Sequence, residues 1–319
     1  MKKISILLLI ALVTFSCNAQ KEETITITTE EVKDIVTYLA SDELKGRNTG
    51  TDGIDKAANY IQKQLKSYGV QPYFDDFNDK FKFANRKGDS IIGYNVVGYL
   101  EGTDKSLKDE YIVIGAHYDH VGFGKAVEND SIANGANDNA TGTSAVMTIA
   151  KYFASKKNNK RSIIFALFSA EEMGLRGSAH LAKRLKSQNI DLYNMINFEM
   201  LGVPFKDRDY EVFLTGFEKS NFASKFNEYQ KSNLLGFSEV SKKYSLFKRS
   251  DNYAFFQEFN VPSHTISSCD LTNFDHYHQV GDEAKEMDFD FMSAIINKMI
   301  PGLEILMNTP TKEIVLNEE

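Results

Sequence analysis

Five short polar clusters in this sequence carry side chains able to hold a metal ion. They are His117-Tyr118-Asp119-His120, the glycine-bracketed run from Gly135 through Asp138 to Gly142, Ser169-Ala170-Glu171-Glu172, Glu199-Met200-Leu201-Gly202, and Asp275-His276-Tyr277-His278 with Gly281-Asp282 behind it. Together they offer imidazole nitrogens and carboxylate oxygens without a thiolate, a donor set suited to zinc. Carboxylates gathered this densely repel one another and take up protons unless a cation sits among them, so their convergence calls for metal. Two ions about 3.5–4 Å apart would polarise a carbonyl and activate a water between them, and hydrolysis is the natural reaction. A serine nucleophile is unsupported, because no glycine-flanked serine elbow follows a strand.

Such clusters converge only if the chain delivers them to one place. Short β-branched or aromatic runs at 91–100, 111–116, 162–168, 194–198 and 261–266 read as strands, and helical stretches at 143–155, 177–186, 219–230 and 251–259 lie between several of them. That alternation predicts an α/β sandwich with a largely parallel sheet, in which ligands collect beyond the carboxyl ends of the strands. Ahead of the strands, Val32, Ile35, Val36 and Leu39 repeat at helical spacing with Thr28 and Glu31 placed as a capping box. Ile54, Ala57, Ala58, Ile61, Leu65 and Tyr68 repeat the pattern, and Gly69 stands where that helix would stop.

Composition bounds the remaining choices. With 319 residues, 37 Lys or Arg and 44 Asp or Glu, the net charge of −7 argues against a nucleic-acid binder. The apolar fraction of 42% is enough for a full core, and two cysteines, Cys17 and Cys269, make no disulfide framework. Met1-Lys2-Lys3 followed by an apolar run from Ile4 to Val13 reads as an export signal, its core too short to span a bilayer. The run ends either at Cys17 as a lipidated N-terminus after Ser16, or at a cleavage after Ala19. Residues 1–19 are therefore expected to be a signal peptide and 20–319 a single catalytic domain. The expected location is the cell envelope, lipid-anchored to the outer membrane or otherwise periplasmic or secreted. Membrane contact would come only through the lipid, and nothing in the sequence sets an oligomeric state.

The clusters, in this order and joined by Leu44-Lys45-Gly46-Arg47, Gly50, Gly53 and Asn95-Val96-Val97-Gly98, resemble the co-catalytic zinc exopeptidases of the M twenty-eight metallopeptidase family over roughly residues 32–305. The resemblance implies a three-layer sandwich around a central mixed, mostly parallel sheet, and a bacterial aminopeptidase acting on peptides with two zinc ions. Carried over by motif, His117 and Glu199 would hold one ion, Glu172 and His278 the other, and Asp138 would bridge them. Glu171 would be the general base, Asp119 would hold the His117 imidazole in its tautomer, and Tyr277 would donate to the oxyanion. Glu199 stands where the family has Asp. His276 is the alternative imidazole to His278, whereas His120, His180 and His264 read as structural, and Ser250-Asp251 as a helix cap. About 20 residues between Gly69 and Ile91 leave no room for a protease-associated insert, and 203–244 is the expected pocket wall or lid. Arg47, Arg176, Arg208 and Arg249 are scattered, which favours an aminopeptidase over a glutamate carboxypeptidase-like enzyme or a dipeptidase. The absence of tryptophan weighs against a glutaminyl cyclase, and the full ligand set against a non-catalytic envelope binding lipoprotein.

Overall fold

The computed structural model describes residues 25–85 and 87–318; the expected signal segment, with Cys17 and Ala19, lies outside them. The chain opens with α1 (Thr29–Leu39), whose start is the expected reciprocal box: Thr28 Oγ1 accepts from the Glu31 N–H and the Glu31 carboxylate accepts from the Thr28 N–H. Next comes α2 (Asp52–Tyr68), ended by Gly69 at φ 87°, a left-handed cap that glycine adopts without a Cβ clash. The strands are β1 (Gln71–Pro72), β2 (Asn78–Ala84), β3 (Ser90–Leu100), β4 (Glu110–His117), β5 (Gly122–Val127), β6 (Asp130–Ala133), β7 (Ser162–Phe168), β8 (Asp191–Phe198), β9 (Val212–Leu214), β10 (Leu235–Gly236) and β11 (Ser263–Ser267). The later helices are α3 (Gly142–Lys156), α4 (Arg176–Ser187), α5 (Phe222–Gln230), α6 (Glu239–Lys243), α7 (Asn252–Phe259) and α8 (Phe289–Asn308). The short stretch between Gly69 and Ile91 is taken up by β1 and β2, both antiparallel to β3.

Nine strands form one sheet in the order β1-β3-β7-β4-β8-β11-β9-β10, with β2 also on β3; β5 and β6 make a separate hairpin. The four central strands β7, β4, β8 and β11 are mutually parallel, while β3 joins β7 and β9 joins β11 antiparallel. The expected mixed sheet is thus parallel where the chemistry lies and antiparallel on its flanks. Strand alternation sorts the core into two layers. Ile112 and Ile114 of β4 face Ile54, Ile61, Ile149 and Met299 of α2, α3 and α8, whereas Val113 faces Leu181 and Phe255 of α4 and α7. Because both faces are covered, β4 and β7 are almost wholly apolar, whereas β8 buries Asn194 and Asn197 and β11 buries His264 and Thr265; the polar strand ends carry the clusters. No helix among the described residues is long and apolar enough to cross a membrane.

Candidate metal centre

Three neighbouring parallel strands hand over the first groups. His117 is the last residue of β4, Glu171 and Glu172 follow β7, and Glu199 follows β8. The backbone turns sharply after β7 and β8, with left-handed conformations at Ala170 (φ 57°) and Met200 (φ 51°), and again at His278 (φ 58°) in the loop beyond β11. Residues held there cost free energy that the surrounding contacts must offset, and such positions concentrate at sites. Asn95 Oδ1 accepts from the Ser169 N–H and Thr49 Oγ1 from the Ala170 N–H, fixing the turn that presents the two glutamates.

Asp138 comes from no strand. It sits in the turn 136–141 that leads into α3, entered through Gly135 at φ 60°, where a Cβ would strike the Asp138 carbonyl and the His120 ring. This turn is sewn to the exit of β8. Asn139 Nδ2 donates to the Phe198 carbonyl and Asn139 Oδ1 accepts from Met200 N–H; Thr141 Oγ1 accepts from Leu201 N–H, and Asn137 Oδ1 from Gly202 N–H. Thr143 donates to the His117 carbonyl, tying the start of α3 to β4. Fully buried Arg47 spends its guanidinium on the carbonyls of Tyr118, Leu39, Asn134 and Gly135, which explains why that arginine belongs to the motif.

Asp138 turns one oxygen to each side. Its Oδ1 is 3.3 Å from His117 Nε2, and its Oδ2 is 3.2 Å from His278 Nε2. The ligand-capable atoms of His117, Asp138 and Glu199 lie within 4.8 Å of one another, as do those of His120, Asp138 and Glu172. His278 Nε2 is also 3.1 Å from Glu172. An ion bound tetrahedrally at about 2.0–2.2 Å spaces adjacent donors roughly 3.3 Å apart, the separation found here. The Nε2 atoms of His117, His120 and His278 are buried without a hydrogen-bond partner among the described residues, as donors awaiting an ion would be. The donor set therefore fits zinc, with Asp138 shared.

The acids and imidazoles are strongly perturbed. Burial opposes it, yet the carboxylates of Glu171, Asp138 and Glu199 hold His117 well above the usual histidine range. Likewise His278 is pushed up to about 10 by Asp138 and Glu172 against its burial. Glu171 is raised well above the carboxylate range by burial, opposed by His117 and reinforced by Glu172, Asp251 and Glu199. Burial also lifts Glu199 to about 7. Glu172, although burial works against it, is held low by the neighbouring imidazoles of His120 and His278. Adjacent glutamates thus diverge, one favouring the proton and one the anion, the split expected of a base beside a ligand.

Several expectations need revising. His120, read as structural, is fully buried inside the centre with Nδ1 3.1 Å from Glu172. His276 points away, packing on Phe274, so the register favours His278. Asp119 contributes differently than expected, for its backbone carbonyl, at 3.1 Å, is nearer His117 Nδ1 than its carboxylate, at 3.8 Å. The Asp119 carboxylate instead accepts from the N–H groups of Glu171 and Glu172. Asp251 stands at the N-cap position of α7 as expected, but no side chain caps that helix. Ser250 donates to Glu199, and Asp251 is fully buried, its carboxyl pushed up to about 7 by that burial. Tyr277 stacks on His278 with ring centroids 3.9 Å apart. His180 pairs with Asp79, and His264 lies buried between Thr215 and Ser220, both structural as expected. Of the 203–244 segment, Phe213 and Thr215 line a small hollow beside Glu199. Asp282, given no role of its own by the sequence, accepts from the backbone N–H groups of Asn137 and Asp138 at 2.7 and 3.0 Å. Its only sequence signal is its place just past the last cluster.

Residues 95–301 match the model of the family described as peptidase family M28. A protein named probable zinc metalloprotease from Leptosphaeria maculans is 29% identical over 196 residues, covering 57% of this chain and 43% of its own. A probable leucine aminopeptidase from Trichophyton verrucosum is 24% identical over 277 residues, 82% of this chain and 66% of that one. The chain thus spans less than half the length of the curated relatives it matches first. Among solved structures, a Zn-dependent exopeptidase from Parabacteroides distasonis shares the fold at a TM-score of 0.68, with 16% identity over 88% of this chain and 98% of that one. Porphyromonas gingivalis glutaminyl cyclase does so at 0.67, with 14% identity over 87% and 98%.

Proposed function

The chain belongs to peptidase family M28, and from that premise we propose that it removes N-terminal residues from peptides, using two zinc ions and Glu171 as general base. One observation carries the reading: Asp138 directs separate oxygens to His117 and His278, so a single carboxylate joins two donor clusters. His117, Asp138 and Glu199 would hold one ion; Asp138, Glu172 and His278 would hold the other. Bound there, zinc polarises the scissile carbonyl and acidifies the attacking water. Glu171, raised by burial, takes that water's proton and delivers it to the departing amine. Asp119 keeps the Glu171–Glu172 backbone in place while it does so. Tyr277, held flat against His278, presents its hydroxyl to the developing oxyanion. The cluster's carboxylates supply acceptors for the free α-amine of the substrate.

The twin-cluster arrangement also weighs against a non-catalytic reading, which would leave two donor clusters and a buried base without purpose. Purified protein lacking residues 1–19 should carry about two zinc ions and release N-terminal residues, with chelation abolishing and zinc restoring activity. Glu171→Gln should keep the metal while turnover falls roughly 10²- to 10⁴-fold. Activity untouched by exhaustive chelation would reject the reading, and cyclisation of N-terminal glutamine or release of C-terminal glutamate would replace it. The envelope location rests on the N-terminal sequence, and Cys17→Ala should release the protein from membranes if a lipid is its anchor.

A further inference from the structure

Among the described residues, every arginine but one is committed to an acceptor. Arg47 binds four carbonyls, Arg161 pairs with Glu110, Arg184 with Asp79 and Arg208 with Asp270, and Arg176 donates to the Met173 carbonyl. Arg249 is exposed, and among the described residues its guanidinium has no ion pair, hydrogen bond or ring beneath it. Its position is specific. It lines a hollow of about 40 Å³ whose wall includes Glu199, Met200, Ser250, Leu271 and Tyr277. Glu199 belongs to the metal cluster, Ser250 donates to it, and Tyr277 stacks on His278, so the hollow opens against the reacting centre.

On the aminopeptidase reading above, a hollow in that position receives the side chain of the residue being removed. At roughly 10–15 Å³ per water-sized probe, 40 Å³ admits about three such volumes, enough for a short side chain and too little for a large ring. A carboxylate brought near Glu199 and Glu171 meets like charge and needs a cation that the metal ligands do not supply. Arg249, exposed and lining the hollow, supplies that cation, with a donor fork that matches a carboxylate in two hydrogen bonds. We propose that Arg249 recognises the side-chain carboxylate of the substrate's first residue, making the enzyme selective for peptides that begin with Asp, and with Glu where the hollow gives.

The comparison of Asp with Asn isolates this contact, since the two side chains are nearly isosteric. Zinc-loaded wild-type protein and the variants Arg249→Gln and Arg249→Lys would be assayed by kcat/KM on the p-nitroanilides of Asp, Asn, Glu, Gln, Ala and Leu. Wild type should favour Asp over Asn by about 10- to 100-fold, the worth of a charge-assisted hydrogen bond. Arg249→Gln should bring that ratio close to one, and Arg249→Lys should restore part of it. The ratio is internal to each variant, so a general loss of fold or metal does not imitate the effect. Cleavage of Ala and Leu substrates with no preference for Asp over Asn, or an equal ratio in wild type and Arg249→Gln, overturns the role of Arg249 alone. Silence on the whole panel from zinc-loaded wild type overturns the aminopeptidase reading, and this assignment falls with it.

Discussion

Asp282 touches neither imidazole nor any other carboxylate of the centre, yet its removal should empty the centre of metal. Its two oxygens accept from Asn137 N–H at 2.7 Å and Asp138 N–H at 3.0 Å, and its carbonyl accepts from Ala136 N–H. Hydrogen bonds to a charged acceptor contribute about 1.5–3 kcal/mol each, so the pair holds the turn with about 3–6 kcal/mol gross. Burial outweighs these bonds: with both in place the Asp282 carboxyl still rises from 3.8 to about 6, a net cost near 3 kcal/mol for the ionised form. Asp282→Asn keeps the shape, loses one acceptor and sheds the buried charge, so a net loss of about 0–3 kcal/mol is expected. Asp282→Ala leaves two buried N–H groups open at about 1–3 kcal/mol each, or about 2–6 kcal/mol in all. For a chain of this size that is a fall in Tm of roughly 4–12 °C. The larger effect is on Asp138, which must sit within about 0.2 Å of its position to serve both clusters. Zinc per chain would be measured by atomic absorption after equilibration in zinc buffers, and melting recorded with zinc and with chelator to separate fold from ligand effects. Asp282→Ala should lose zinc from both clusters together. Wild-type zinc content with an unchanged metal-free Tm would refute the claim that this carboxylate sets the turn.

Three further outcomes follow from the same geometry. His278→Ala should remove one ion, whereas His120→Ala should weaken that ion's binding by about 10- to 100-fold, as loss of a supporting partner does; equal zinc loss in the two variants would make His120 a ligand. Glu199→Ala should spare the ion held by Glu172 and His278, and Glu199→Asp should keep partial activity; two tightly bound ions and full turnover in Glu199→Ala would exclude Glu199 as a ligand. Burial lowers His264 to about 4, so it must be neutral in the fold. Its contribution is complete above pH 6.5 and drains away as pH falls from 6.5 towards 4, by at most about 3 kcal/mol. Urea unfolding with chelator present should show a shallower acid decline for His264→Gln, and parallel curves would reject this.

What the sequence made legible follows the physics of each element. β4 and β7 announced themselves because burial on both faces leaves continuous apolar runs, and β7 begins and ends where its run does. Flank strands β1, β9 and β10 have two or three residues each, too few for any periodicity to register. Clusters at strand ends were readable for a related reason, since polar residues interrupting an apolar run must lie where the sheet stops. Contacts that cross between loops left no such trace. Asp282 serves through backbone N–H groups more than 140 residues away in sequence, and His120 joins Glu172 across two strand ends. Ser250-Asp251 had a sufficient local explanation as a cap, and only the placement of Ser250 against Glu199 displaced it.

The way the centre is built follows from the spacing of the sheet. Adjacent strands lie about 4.8 Å apart, so groups leaving β7, β4 and β8 stand in a row and cannot by themselves surround an ion. A further donor has to approach from above that row. The 136–141 turn provides it, and its side chains bond to the backbone of 198–202, the exit that also carries Glu199. The same turn is clamped from the other side by Asp282, four residues after His278. One turn therefore fixes the shared carboxylate and is held by the two loops that bring a ligand to either cluster. The two clusters are for that reason a single mechanical unit, and a displacement at one loop is felt at both through Asp138.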